Sequence, residues 1–127
     1  MRLFLVRHAE AAPGKPDALR PLTDAGRARA RALGRQLAGE QLDAVLCSPL
    51  LRARQTAEQI AQAANLVAEI DERLAPGATA DGVREATAGR GETIVAVGHQ
   101  PDCSEIVLEL TGEGRPFAPG ALAVVEL

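Results

Sequence analysis

The chain of 127 residues has a net charge of -3, is 46% apolar and carries only two aromatic residues, Phe4 and Phe117. That length suits one domain spanning residues 1–127 and is too short for two ordinary ones. The acidic balance argues against a phosphate-backbone binder and the lack of aromatics against a single-strand stacking surface, so no nucleic-acid partner is expected.

No apolar run approaches the roughly 18 residues of a membrane span, and the N-terminus enters a strand without a signal-peptide pattern. A cytoplasmic protein with no membrane partner is expected, and in that setting Cys47 and Cys103 should be free thiols.

Short apolar runs alternate with helical patterns, which predicts a mostly parallel central sheet with helices on both faces, a three-layer α/β/α arrangement. Leu3–Val6 is the first strand. It is followed at once by Arg7, His8 and, two places on, Glu10. Next comes a helix with Thr23 as N-cap and Asp24 in the first turn; Ala30, Leu33, Gly34 and Leu37 share one face, and the helix runs to about Ala38, with Gly39 ending it. Its arginines, Arg27, Arg29, Arg31 and Arg35, read as a solvated face rather than a binding patch.

Ala44–Cys47 is the second strand. A helix capped by Ser48, with Pro49 in its first position, should follow and bury Ala53, Thr56, Ala57, Ile60 and Ala64. Leu66–Ile70 is a weaker strand, and the stretch LAPGATADGV opens a short helix reaching Ala88. Thr93–Val97 is the next strand, with Gly98 and His99 just beyond it. A helix from about Pro101 or Asp102 turns Ile106, Val107 and Leu110 inward and closes at Gly112, and Ala121–Leu127 is the last strand.

Ligands of an open parallel sheet bind outside the carboxyl ends of its strands, and three such ends carry unusual residues here. The only two histidines, His8 and His99, each follow a predicted central strand. Arg7 sits beside His8, and Arg52, one turn into the second helix, can reach back to the strand ends because helical side chains lean toward the N-terminus. Arg54, about 200° further round that helix, should point elsewhere.

Guanidinium forks match phosphate oxygens, and helix N-termini near Ser48 and Asp102 would add backbone donors. The group is suited to a dianionic phosphoryl ligand, with a neutral imidazole able to attack phosphorus. A metal site is a poor competitor: His8 and Glu10 form an H-x-E, but no ligands stand at zinc spacings. A thiol phosphatase fails on its C-x5-R spacing, since four residues intervene between Cys47 and Arg52 and six between Cys47 and Arg54. Cys47 reads as strand core and Cys103 as packing.

Arg7-His8-Ala9-Glu10, Pro21-Leu22-Thr23-x-x-Gly26, Ser48-Pro49-x-x-Arg52-Ala53-x-Gln55-Thr56 and Val97-Gly98-His99 resemble, in order, the motifs of the histidine phosphatase, or phosphoglycerate-mutase-like, superfamily. The small size and the RHAEA opening are most similar to its SixA-type phosphohistidine phosphatase branch. The resemblance implies a phosphoglycerate-mutase-like fold and a phosphatase needing no metal or cofactor. His8 would be the nucleophile that becomes phosphorylated, and Arg7, Arg52 and His99 would hold the phosphoryl group. Arg20 would either contact phosphate or serve structure. Ala9 replaces the usual glycine of Arg-His-Gly.

Larger members carry an acidic proton donor in an inserted segment, and the corresponding region, about Leu66 to Glu92, is short. Asp81, Glu85 and Glu10 are weak candidates for that donor. An imidazole leaves phosphorus far more readily than an alkoxide, so a missing acid favours a phosphohistidine substrate. The short segment also implies an open site that a phosphorylated protein could enter. A small-molecule phosphomonoesterase and a non-catalytic phosphoprotein-binding module remain as alternatives.

Overall fold

The computed structural model describes residues 1–127 and contains one five-stranded sheet. Its strands are β1 (Arg2–Arg7), β2 (Ala44–Cys47), β3 (Glu69–Ile70), β4 (Thr93–Gly98) and β5 (Leu122–Glu126). They lie in the order β3-β2-β4-β1-β5; all neighbours run parallel except β5, which is antiparallel to β1. Four helices, α1 (Asp24–Leu37), α2 (Leu51–Ala63), α3 (Ala80–Thr87) and α4 (Asp102–Thr111), cover the two faces.

The pleat divides each central strand between two cores. Leu3 and Leu5 of β1, Leu46 of β2 and Ile94 of β4 pack with Val83 of α3 and with Ile106 and Val107 of α4. Phe4, Val6, Val45, Val95 and Val97 pack on the other face with Leu33 and Leu37 of α1 and with Ala57 and Ile60 of α2. A strand covered on both faces has no solvent side to mark with polar residues, so it reads as an unbroken apolar run. Full burial of each Val or Leu contributes about 1.5–3 kcal/mol.

Register then sets the functional edge. Cys47 lies opposite Ile70 and Val97, and Val97 opposite Val6, so β3, β2, β4 and β1 all end at one level. Residues one step beyond that level are brought together whatever their distance in sequence.

Three boundaries differ from the sequence-based expectations. α1 ends at Leu37 and tightens into a 3-10 turn over Ala38–Glu40, with the reversal into left-handed geometry at Gln41 (φ 54°) rather than at Gly39. α2 starts at Leu51 with Leu50 as N-cap, not at Pro49 after a Ser48 cap. The Ser48 hydroxyl is drawn instead into a buried contact with His99, and it accepts a hydrogen bond from Leu50 N at 3.2 Å. Only Glu69 and Ile70 of the expected Leu66–Ile70 strand join the sheet. Asn65 (φ 60°) and the bond from Leu66 N to Ala61 O close the end of α2 and consume the start of that segment.

α1 approaches the segment after β1 at Gly26, where a Cβ would come within 2.1 Å of Glu10 O. Thr23 caps the helix there, its Oγ1 accepting from Gly26 N at 3.0 Å. No helix is long and apolar enough to cross a membrane.

Candidate active site

The ends of β1 and β4 bring His8 and His99 into contact, with ring centroids 5.3 Å apart and planes tilted by 58°. His8 N donates to Gly98 O at 3.0 Å, which continues the β1–β4 ladder one step past Arg7 and fixes the height of the His8 ring. Both residues are nearly covered, His8 at 9% and His99 at 4% exposure.

His8 Nδ1 is 2.7 Å from Ala9 O. A carbonyl only accepts, so Nδ1 carries the proton and the lone pair of the neutral ring lies on Nε2. Burial, reinforced by the charges of Arg52, Arg7 and Arg20, holds the His8 pKa below its usual value against the opposing pull of the Ala9 carbonyl. Burial likewise drives His99 down to about 4, helped by His8 and Arg52. Both rings are therefore neutral at neutral pH.

His99 Nε2 shares a 2.7 Å hydrogen bond with Ser48 Oγ, which stands one residue past β2 and is completely buried. Three adjacent strand ends thus contribute, in order across the sheet, Ser48, His99 and His8. Thr56 ties the helix to this edge: its Oγ1 accepts from Ala9 N at 3.1 Å and donates to Arg52 O at 2.8 Å.

The arginines surround this pair. Arg7 Nη1 donates to Phe117 O at 2.9 Å, while Arg7 Nε is buried with no partner in the protein. A buried N–H without an acceptor costs about 1–3 kcal/mol. An acceptor oxygen brought by a ligand would recover that cost. Arg52 is 7% exposed and its Nη1 and Nη2 donate to Asp17 O (2.9 Å) and Asp17 Oδ2 (3.2 Å). Arg20 donates from Nε to Ala12 O and from Nη1 to Asp17 Oδ1, at 2.9 and 3.1 Å.

Arg7, His8, Arg52 and His99, singled out in the sequence, therefore converge, with Arg20 at the rim. The expected donors of α4 are already taken: Cys103 N bonds His99 O, and Ser104 N bonds Gln100 Oε1. Of the acid candidates, the Glu10 carboxylate accepts from Thr23 Oγ1, and Asp81 sits beside Arg84 with 83% of its side chain exposed. Glu85 is exposed on α3.

Among the α1 arginines, Arg27, Arg31 and Arg35 do face water without tertiary partners, but Arg29 does not fit that reading. It binds Gly120 O through Nε (3.1 Å) and Nη2 (2.9 Å). Sequence reasoning read Ser48 as a helix cap and Thr56 as part of a buried stripe, and so missed their hydrogen bonds at this edge; Asp17 lay in a polar loop with no signal.

The cavities of the molecule lie elsewhere, the largest beside Glu58, Gln62 and Leu66 at the far end of α2, and they contain none of these groups.

A neutral, tautomer-fixed imidazole among guanidinium groups, set at the carboxyl edge of a parallel sheet, defines an α/β protein equipped to receive a tetrahedral oxyanion. Comparison with known proteins gives the family. The chain belongs to the Histidine phosphatase superfamily (branch 1), whose model matches residues 3–76. It is 33% identical to phosphohistidine phosphatase SixA of Escherichia coli (strain K12), across 100% of this chain and 86% of that protein. The phosphohistidine phosphatase SixA homolog of Haemophilus influenzae is also 33% identical, over 97% of this chain and 86% of its own length. The solved structure of the protein histidine phosphatase SixA complexed with tungstate superposes with a TM-score of 0.87, at 33% identity, over 100% of this chain and 88% of that one. The resemblance seen in the four motifs is thereby borne out, as is the fold it implied.

Proposed function

We propose that this chain is a phosphohistidine phosphatase that works through a phosphorylated His8. The observation that carries the reading is the 2.7 Å contact from His8 Nδ1 to Ala9 O, which leaves the Nε2 lone pair available beside Arg7, Arg52 and His99. The unpartnered Arg7 Nε supports an oxyanion as ligand. So does the likeness to a SixA structure complexed with tungstate, an oxyanion of similar shape.

In the first step Nε2 attacks phosphorus along the line opposite the leaving group. The new P–N bond forms as the bond from phosphorus to the substrate imidazole breaks, and that imidazole keeps the electron pair and takes a proton from solvent water. Arg7 and Arg52 neutralise the equatorial oxygens, and His99, held by Ser48, lies beside them as a further hydrogen-bonding group. Water then attacks phosphorus from the opposite side, the P–N bond to His8 breaks, and phosphate leaves with His8 restored.

A phosphorylated protein in the cytoplasm is the proposed partner. The reading is supported by the acid candidates: the Glu10 carboxylate is engaged by Thr23, Asp81 stands beside Arg84 and Glu85 is exposed on α3, so none is committed to the acid role that an ester would need. The test mixes the protein, in chelator, with a labelled phosphohistidine protein and a panel of phosphate esters. Rapid release from the former and acid-labile label on His8 are expected. Turnover of esters alone, or saturable binding without release, would overturn the proposal.

A further inference from the structure

Asp17 is the one acidic residue built into the arginine cluster. From a three-residue 3-10 turn, Asp17–Leu19, its carboxylate bridges Arg20 Nη1 (3.1 Å) and Arg52 Nη2 (3.2 Å), while its backbone carbonyl takes Arg52 Nη1 (2.9 Å). The side chain is 65% exposed, whereas that of Arg52 is 9% exposed, so the carboxylate lies on the solvent side of the guanidinium. Hydrogen bonds from Arg20 and then Arg52 lower its pKa from the ordinary carboxylate value. Its charge is also felt at His99, where it opposes Arg52 and Arg7.

Arg52 has five N–H bonds, and Asp17 engages one on each terminal nitrogen. Nε–H and one hydrogen on each terminal nitrogen remain for a ligand, so Asp17 need not leave when a phosphoryl group binds. Charge is then the issue. Three guanidinium groups and one carboxylate leave two positive charges, and the neutral imidazoles add none. That matches a phosphoryl dianion and nothing more. Lys15, two residues away, is exposed to solvent.

The geometry points to Asp17 as the residue that sets the charge limit of this site: it admits a dianionic phosphoryl group on a carrier without negative charge and disfavours carriers bearing a carboxylate. A phosphorylated imidazole on a protein meets that condition, whereas small phosphorylated acids do not. The inference rests on the phosphoryl-site reading above and names the substrate class by which that site discriminates.

The test is a matched pair of non-hydrolysable ligands, phenylphosphonate and 4-carboxyphenylphosphonate, titrated calorimetrically into the wild type, Asp17→Asn and Asp17→Glu. One repulsive unit charge at about 6 Å in a half-exposed setting corresponds to a factor of about ten. The wild type should therefore bind the uncharged-ring ligand about tenfold more tightly. Asp17→Asn, which keeps an oxygen acceptor for Arg52, should bring the ratio close to one, and Asp17→Glu should keep most of it. High salt should narrow the wild-type ratio.

If Asp17 only orients Arg52, both ligands weaken together in Asp17→Asn and the ratio stays unchanged, which overturns the proposal. Equal binding of the two ligands by the wild type overturns it as well. Failure to bind either ligand would overturn the phosphoryl-site reading itself. Failure of phosphohistidine release with an intact ligand ratio would overturn the substrate proposed for the enzyme and leave the charge limit standing.

Discussion

Arg29 and Gly120 are 91 residues apart, yet the Arg29 guanidinium donates twice to the Gly120 carbonyl. Gly120 N is in turn shared between Arg7 O (3.1 Å) and His8 O (3.0 Å). Helix α1 is thereby tied to the tip of β1. Gly120 has φ 77°, and a Cβ there would lie 2.5 Å from Arg29 Cγ, so both the backbone angle and the space require glycine. Arg29→Ala should cost about 1.5–3 kcal/mol in urea unfolding, and Gly120→Ala about 1–3 kcal/mol. Arg31→Ala, on the same helix but facing water, should change stability by less than about 0.5 kcal/mol.

His8→Ala should reduce phosphohistidine turnover by a factor of about 10^3 or more, because it removes the nucleophile of a two-step transfer. Phosphate-analogue binding should survive, since the guanidinium groups remain. Retention of full turnover by His8→Ala would sink the proposed mechanism.

Ser48→Ala removes the only hydrogen bond made by the His99 ring and leaves Leu50 N without its acceptor. About a tenfold loss in kcat/KM is expected, through misorientation of His99. A stopped assay at saturating and limiting substrate separates this from a simple loss of folded protein, which would lower kcat and leave KM alone.

The acid side of the pH profile follows from two buried imidazoles. His8 and His99 titrate below their ordinary value of 6.5, His99 down to about 4, with burial the largest cause for each. The native state thus binds fewer protons than the unfolded chain between about pH 4 and 6.5. Their contribution to stability is complete above 6.5 and is lost as pH falls through that window. Activity needing neutral His8 should likewise persist below pH 6.5 before it declines. His99→Gln should flatten the dependence of the unfolding free energy on pH, measured by denaturant titration at several pH values.

Both thiols should be inert in the folded protein. Burial pushes Cys47 up to about 11 and Cys103 up to about 12, and neither is in a disulfide. A thiol reagent at pH 7.5 should label neither cysteine until denaturant is added, and activity should be unaffected. Inactivation by labelling at Cys47 in the native state would revive a thiol mechanism.

The central strands and their order of function were legible in the residues themselves. Leu3–Val6, Ala44–Cys47 and Ile94–Val97 are buried on two faces, which forces apolar residues at every position and makes the strands easy to read. A histidine placed just beyond such a strand stands out for the same reason. Arg52 stood out because, one turn into the second helix, its side chain leans back toward the strand ends.

What only the tertiary structure decided are the contacts that no local period encodes. Asp17 meets Arg52 across 35 residues, Ser48 meets His99 across 51, and Arg29 meets Gly120 across 91. Sequence patterning reports which face of an element is buried, because that is a property of periodic apolar area. It says nothing about which polar side chain completes another at the edge. That choice follows from strand register and from the placement of loops after the core has formed, and here it turned a polar loop residue, a supposed helix cap and a supposed surface arginine into parts of the site and its support.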